Sequence, residues 1–363
     1  MKNHNVLLIE PVSKTPYPPL GLMRISSMLK SKYNNINIKA YSEKDEPSIL
    51  DNPDEIYVTS LFTWDLKKVC ESINYLKYKF PSADIKVGGV SASLLPSVIQ
   101  SATGITPHKG ILEEAELYAP DYSLTFGRKL NTSISFTSKG CKRKCKFCCV
   151  TTLEPKFKVR EHWINDINPD FNMITFWDNN WLASPNIGND VEILERLGKK
   201  VDFNQGLDAR FYTKKKAELL SRVHIDPLRF AFDNIEDEAD IVKAITLAKQ
   251  YTKSEIRVYV LYNYTDSPDN FFHRINVLNK LGVLSFPMEY RSNTESIKKY
   301  PNQYWDSYLL RALKLSLMFY YRKGMITQKR DSFTTIYGNN AEEFKRKLYD
   351  IYEYDLNLRR KNA

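Results

Sequence analysis

Strand-like and helix-like runs alternate along most of the 363 residues, and this alternation restricts the fold more than any other feature of the chain. VLLIEP reads as a buried strand and PPLGLMRISSMLKSKY as a helix opened by prolines. NINIKAYS and EIYVTSLF follow as strands, then the helix DLKKVCESINYLKYKF and the strand DIKVGGV. Strands separated by helices pair in parallel and carry the helices on the faces of the sheet. Gly88 and Gly89, at the carboxyl end of the last of these strands, mark a close backbone approach, to a ligand or to a neighbouring helix. A second series begins after Pro120, with the strands SISFTS, NMITFWD, KVDFNQGL, LRFAFDN, IRVYVLY and VLSFPMEY. The helices VEILERLGKK, KKKAELLSRV, ADIVKAITLAKQY and FFHRINVLNKLG lie among them. Such a series predicts an open or partial (β/α) barrel, with its chemistry at the carboxyl ends of the strands. Beyond about residue 295 only helices are expected, the last opened by a capping box of Asn340 and Glu343. The reading is an α/β chain in three parts: a parallel-sheet domain over 1–125, a partial barrel over 126–294 and a helical segment over 295–363.

A hydrophobic fraction of 42% and a charged fraction of 26% are ordinary for a globular protein and exclude disorder as the main state. The start, MKNHNVLLIEP, has a short apolar core and no small-residue cleavage site, so it reads as a first strand and not as a signal peptide. The most apolar later stretch, Leu309 to Tyr321, is interrupted by Arg311 and Lys314 and cannot span a bilayer. A cytoplasmic protein with no membrane partner is expected. The formal net charge of +10 favours an anionic partner, nucleic acid among them, although a chain rich in Lys, Asn, Ile and Tyr acquires such a charge from composition alone.

Four of the five cysteines fall within GCKRKCKFCCV, among four Lys or Arg residues, with Lys139 just before it. Disulfides do not persist in a reducing cytosol, which leaves metal or redox chemistry. Cys70 stands apart on a helix and reads as a buried apolar side chain. Cys141, Cys145 and Cys148 have the spacing CxxxCxxC. A structural zinc site needs a fourth ligand and usually a second CxxC knuckle. No such knuckle exists, the five histidines (4, 108, 162, 224, 273) form no ligand pair, and Cys149 adjoins Cys148 too closely to share one tetrahedral ion without strain. Three thiolates suit an iron–sulfur cube that leaves one iron open, and the nearby lysines and arginine are expected to lower the thiol pKa values.

The stretch CKRKCKFC, with aromatic Phe147 before the last cysteine and a barrel-like strand series after it, resembles the radical S-adenosylmethionine superfamily over residues 130 to 292. The resemblance implies that Cys141, Cys145 and Cys148 bind a 4Fe-4S cluster whose open iron takes the amino and carboxylate groups of S-adenosylmethionine. One electron then cleaves the sulfonium to give methionine and a 5′-deoxyadenosyl radical. An electron donor of the flavodoxin or ferredoxin type is implied. It further implies cofactor contacts from Phe147, from Asp178 and Asn179 in MITFWDNNWL, from Gln205, Asp208 and Arg210 in NQGLDAR, and from Asp233 in FAFDN. Arg210 would pair with the methionine carboxylate. The chain has no Gly-Gly-Glu where relatives carry one, and Asp or Asn just after a strand is also the ordinary helix N-cap.

The N-terminal part (VLLIEP, EIYVTSLFTWD, IKVGGVSASLLPS, PDYSL) resembles the Rossmann-like cobalamin-binding-type domain that precedes many such barrels. Glu-Pro-Val-Ser-Lys-Thr-Pro follows the first strand, with no histidine, so cobalamin held by a histidine is disfavoured and base-off cobalamin remains compatible. The resemblance implies an enzyme; the +10 charge and the basic tail NLRRKNA point to a nucleic acid or nucleotide as its substrate, while many cobalamin-domain relatives point to a small molecule or peptide. The alternatives are a cobalamin-dependent methyltransferase, and an iron–sulfur regulator or nucleic-acid-binding protein without radical chemistry.

Overall fold

The computed structural model of the chain describes residues 4–12, 15–42, 52–292, 302–321, 324–326 and 330–361. They form two compact units, which among the described residues are 4–177 and 178–361.

The first unit opens with β1 (His4–Glu10), α1 (Leu20–Lys32), β2 (Ile36–Ser42), β3 (Glu55–Thr59), α2 (Leu66–Lys79) and β4 (Asp84–Gly88). The four strands form one sheet in the order β2-β1-β3-β4, every pair parallel. Side chains alternate across a strand, and each face of the sheet is covered. Val6, Leu8 and Tyr57 meet Leu22, Met23, Met28 and Leu29 of α1 on one side. Leu7, Ile9, Ile56 and Val58 meet Leu66, Val69, Cys70, Ile73 and Leu76 of α2 on the other. Those α2 positions fall on one stripe of a 3.6-residue helix, and Cys70 is a core side chain, as the sequence suggested. The chain runs from β1 to neighbours on opposite sides, so the carboxyl ends of β1 and β3 flank the point where strand order reverses. Of the two glycines, Gly89 makes the close approach, and to a strand end: it has φ +114°, and a Cβ there would lie 2.5 Å from the Ser60 carbonyl oxygen after β3, while a Cβ on Gly88 would meet nothing nearer than the His108 Cβ at 4.0 Å.

The unit continues through α3 (Val90–Leu94) and α4 (Pro96–Thr103) to β5 (Thr132–Ser135), the two-residue strands β6 (Ser138–Lys139) and β7 (Lys158–Val159) around α5 (Val150–Leu153), and β8 (Met173–Phe176). β5 and β8 are parallel, while β6 and β7 form an antiparallel stem. A buried ionic cluster binds these parts together. Asp166 accepts hydrogen bonds from Arg24 of α1 at 2.7 Å, Arg160 after β7 at 2.8 Å and Ser135 of β5 at 2.8 Å. Arg24 also donates to the Tyr118 carbonyl at 2.6 Å.

The second unit holds α6 (Ile187–Leu197), β9 (Lys200–Phe203), α7 (Lys214–Leu220), β10 (Leu228–Ala231), α8 (Glu238–Tyr251), β11 (Ile256–Tyr262), α9 (Pro268–Lys280) and β12 (Leu284–Glu289). β10, β11 and β12 are parallel, and the bridges Val201–Ile225 and Leu207–Phe230 continue the parallel pairing towards β9. Tyr262 of β11 packs on Phe271 of α9, so the Val258–Val260–Tyr262 side of β11 faces the helices and the Arg257–Tyr259 side faces away. After residue 301 come α10 (Ser307–Tyr320), α11 (Arg330–Tyr337) and α12 (Ala341–Lys361). The expected capping box opens α12: the Glu343 amide donates to Asn340 Oδ1 at 2.9 Å, and the Glu343 carboxylate accepts from the Asn339 amide at 2.8 Å. All the strands expected from the sequence are present, and among the described residues no helix is long and apolar enough to cross a membrane.

Removing Asp166 takes from the 1%-exposed Arg24 its close carboxylate and leaves the more distant Glu116, at 3.8 Å. Urea unfolding of Asp166→Ala is expected to show a loss of about 3–5 kcal/mol relative to wild type. A loss below about 1 kcal/mol would mean that the cluster does not hold the first unit together.

Candidate functional site

The cysteine loop is a closed structure built from short-range constraints. Its stem is β6 and β7, with Ser138 opposite Val159 and Lys139 opposite Lys158. At the mouth, Gly140 has φ +75°, and a Cβ there would overlap the Lys156 carbonyl oxygen, so only glycine fits where the two backbones cross. The Gly140 amide donates to Glu154 Oε2 at 2.6 Å, and the Glu154 amide donates to the Val150 carbonyl at 2.7 Å, closing α5. Between these points, Cys141, Cys145, Cys148 and Cys149 are all half-buried. The Arg143 amide lies 3.3 Å from Cys141 Sγ, and the Cys148 amide donates to the Cys145 carbonyl at 3.0 Å, so turns fold the strand of ligands back on itself. Phe147 is half-buried beside Cys148.

The basic residues do not activate every thiol. Burial pushes Cys148 up to about 11, and the neighbouring Cys149, Cys145 and Cys141 act in the same direction. Burial also raises Cys149. The expected lowering fails at these two positions because Lys142, Lys144 and Lys146 are exposed while the sulfurs are not, and solvent screens the cations. Lys139 is the inward-facing cation: its Nζ lies 3.3 Å from the Phe136 ring centre, 3.6 Å from Glu116 and 3.8 Å from Glu154, and burial lowers its pKa. It lines a cavity of about 400 Å³ behind the stem, together with Glu116, Glu154 and Arg160.

Among the described residues, no group of three or more His, Cys, Asp or Glu side chains is gathered so as to hold a metal ion. A tetrahedral ion draws all its sulfurs to about 2.3 Å from one centre. A cube distributes three thiolates over three irons, so three soft donors spread along one half-buried loop fit an iron–sulfur cluster better than a mononuclear site.

In the second unit, the residues expected at the strand ends fall into two groups. Asn180 donates to Asp208 at 3.1 Å, and Asp208 holds Arg210 through Nε at 2.6 Å and Nη2 at 3.1 Å. Asp237 takes the remaining arm of Arg210 at 3.1 Å. The Arg210 fork, expected to meet a methionine carboxylate, is thus held by two protein carboxylates, and Asp208 also caps the Arg210 amide. Asp178 is buried and Asn179 half-buried, both with polar or ring contacts, whereas Gln205 is exposed. Asp233, after β10, accepts from the Leu261 amide at 3.3 Å. The fully buried Arg274 of α9 staples the same strand ends, donating to the carbonyls of Phe232 at 2.8 Å and Leu261 at 2.9 Å and to Asp266 at 2.9 Å.

Several polar residues here escaped the sequence reading. Asp202 binds both arms of Arg229 at 2.7 and 2.8 Å, and Arg229 reaches the Tyr259 hydroxyl at 3.2 Å, giving a polar row across β9, β10 and β11. Alternation within the strands was the signal for this row. Asn263, at the carboxyl end of β11, has φ +64° and is fully buried, and neither polar atom of its side chain finds a partner among the described residues.

Burial raises the Asp233 carboxyl to about 6, against the opposing pull of Arg274. Between about pH 4 and pH 6 the folded chain therefore holds a proton that the unfolded chain has released, and stability falls as pH rises through that window. Urea unfolding of wild type and Asp233→Asn at several pH values is expected to show wild type losing about 2 kcal/mol relative to the variant across it. A difference independent of pH would remove the raised carboxyl.

No protein-family model matches the chain, and no curated protein matches it. Solved structures do. The radical S-adenosylmethionine methyltransferase TsrM from Kitasatospora setae, solved with cobalamin and a 4Fe-4S cluster bound, superposes with a TM-score of 0.64 at 13% identity, covering 79% of this chain and 75% of that one. Coproporphyrinogen III oxidase (HemN) from Escherichia coli, described as a radical SAM enzyme, is 12% identical over 44% of each chain, with a TM-score of 0.34 that is too low to bear on the fold. In fold, the chain is like that methyltransferase structure: a Rossmann-like domain followed by a partial (β/α) barrel and C-terminal helices.

Proposed function

We propose that the chain is a radical S-adenosylmethionine enzyme in which Cys141, Cys145 and Cys148 hold a 4Fe-4S cluster. The observation that carries this reading is the CxxxCxxC loop, closed by its own stem and half-buried, in a chain of this fold. When bound, such a cluster supplies the electron that cleaves S-adenosylmethionine to methionine and a 5′-deoxyadenosyl radical, which abstracts hydrogen from a substrate. The protein's part is to supply three thiolates and no fourth ligand, and to orient the cofactor with polar groups at the strand ends. For that role we assign Asp178, Asn179, Gln205, Asp208, Arg210 and Asp233, with Asn263 added for its unpartnered amide and Phe147 as the aromatic wall beside Cys148. Arg210 would meet a carboxylate by exchanging one of its present partners, Asp208 or Asp237.

Lys142, Lys144 and Lys146 point outward at alternate positions of the loop, and among the described residues no carboxylate pairs with Lys144 or Lys146. A cationic rim of this kind suits an acidic electron carrier of the flavodoxin or ferredoxin type, and charged association of this kind weakens with salt.

Anaerobically reconstituted protein is expected to be brown and, with dithionite and S-adenosylmethionine, to release 5′-deoxyadenosine. Cys141→Ala, Cys145→Ala and Cys148→Ala are expected to lose both properties, and Cys149→Ala to keep them. A colourless wild-type protein, or a Cys149→Ala variant as impaired as the others, would overturn the reading. Colour without 5′-deoxyadenosine would point to the iron–sulfur regulator instead.

A narrower reading, cobalamin-dependent methyl transfer, is favoured by one observation: the TsrM structure, which this chain resembles over 79% of its length, carries cobalamin. The residues after β1 include no histidine, and Glu10 at the strand end is locked by Arg128 through two bonds of 2.7 Å. Cobalamin would therefore be held without a histidine ligand from this loop. Retention of a corrinoid spectrum after gel filtration of anaerobic protein mixed with cobalamin is the outcome expected on this reading, and complete separation of the two would remove it.

A further inference from the structure

We propose that Glu154 is a positioning residue for the cysteine loop, acting through the Gly140 amide to set where Cys141 stands. This rests on the reading of Cys141, Cys145 and Cys148 as cluster ligands. Glu154 is the point at which the two ends of the loop are joined. Its carboxylate takes the amide immediately before Cys141 at 2.6 Å, and its own amide ends the helical turn that begins just after Cys149 at 2.7 Å. Its second oxygen lies 3.8 Å from Lys139 Nζ, which draws the carboxylate towards the mouth of the loop.

The backbone crossing makes this latch effective. A Cβ on Gly140 would overlap the Lys156 carbonyl oxygen and lie 3.0 Å from the Glu154 carbonyl oxygen, so the two backbones at the mouth are packed too closely for any side chain. Glu154 is 13% exposed, so water competes poorly for the bond. Ligand loops bind best when groups outside the ligand set fix their geometry, and removing such groups commonly weakens metal affinity about 10–100-fold. Glu154 touches no reacting atom and acts on the cluster only through the loop.

The test compares Glu154→Ala with Glu154→Gln, which keeps an acceptor oxygen of the same reach but no charge. Hydrogen exchange of the Gly140 amide in metal-free protein reads the latch without reference to any cluster. Iron release to a chelator and the electron paramagnetic resonance spectrum of the reduced cluster then read its effect on the ligands. In Glu154→Ala we expect faster exchange at Gly140, cluster loss about tenfold faster than wild type and an altered spectrum, with Glu154→Gln close to wild type on each. Thermal melts of the metal-free variants control for general destabilisation. Wild-type cluster retention in Glu154→Ala, equal loss in both variants, or losses that only track a lowered melting temperature would each overturn the proposal. A wild-type protein that assembles no cluster would instead sink the function on which the proposal rests, while leaving the Gly140 exchange result readable.

Discussion

The first unit is organised around a single carboxylate. Asp166 is 2% exposed and takes three hydrogen bonds from three different stretches of chain: the first helix, the strand before the cysteine loop and the segment leaving that loop. A buried carboxylate with so many donors is stable only when all of them are present, so the helix, strand and stem are held to one arrangement. Arg24 extends the same arrangement to the Tyr118 carbonyl. The loop thus projects from a base fixed by ionic bonds as well as by apolar packing.

Much of this architecture was legible in the residues. The unbroken apolar run of VLLIE and the 3.6-residue stripe of α2 identified a sheet covered on both faces, because each pattern has only one cheap way to bury its apolar atoms. The capping box at Asn340 and Glu343 was legible because its interactions are local. The cysteine spacing singled out the loop, but not the way it is closed. The Glu154–Gly140 bond joins residues 14 apart through a carboxylate that resembles any surface glutamate, and the two-residue strands of the stem carry no periodicity to detect.

The electrostatics of the sites were the least legible part. Counting the cations near Cys148 suggested an acidified thiol, yet burial outweighs them and sets the opposite direction. Arg210 read as a free fork for an anion, but Asp208 and Asp237 already occupy it, and Asp208 meets the cap geometry that Asp after a strand commonly adopts. In both cases sequence gives the inventory of charges, and only three-dimensional neighbours decide which of them face water and which face one another.

The closure of the cysteine segment uses backbone crossing, amides and a carboxylate. Its shape is therefore a property of the bare polypeptide. A substitution at the crossing should open the segment from its base, while a substitution among its exposed lysines should leave the closure in place.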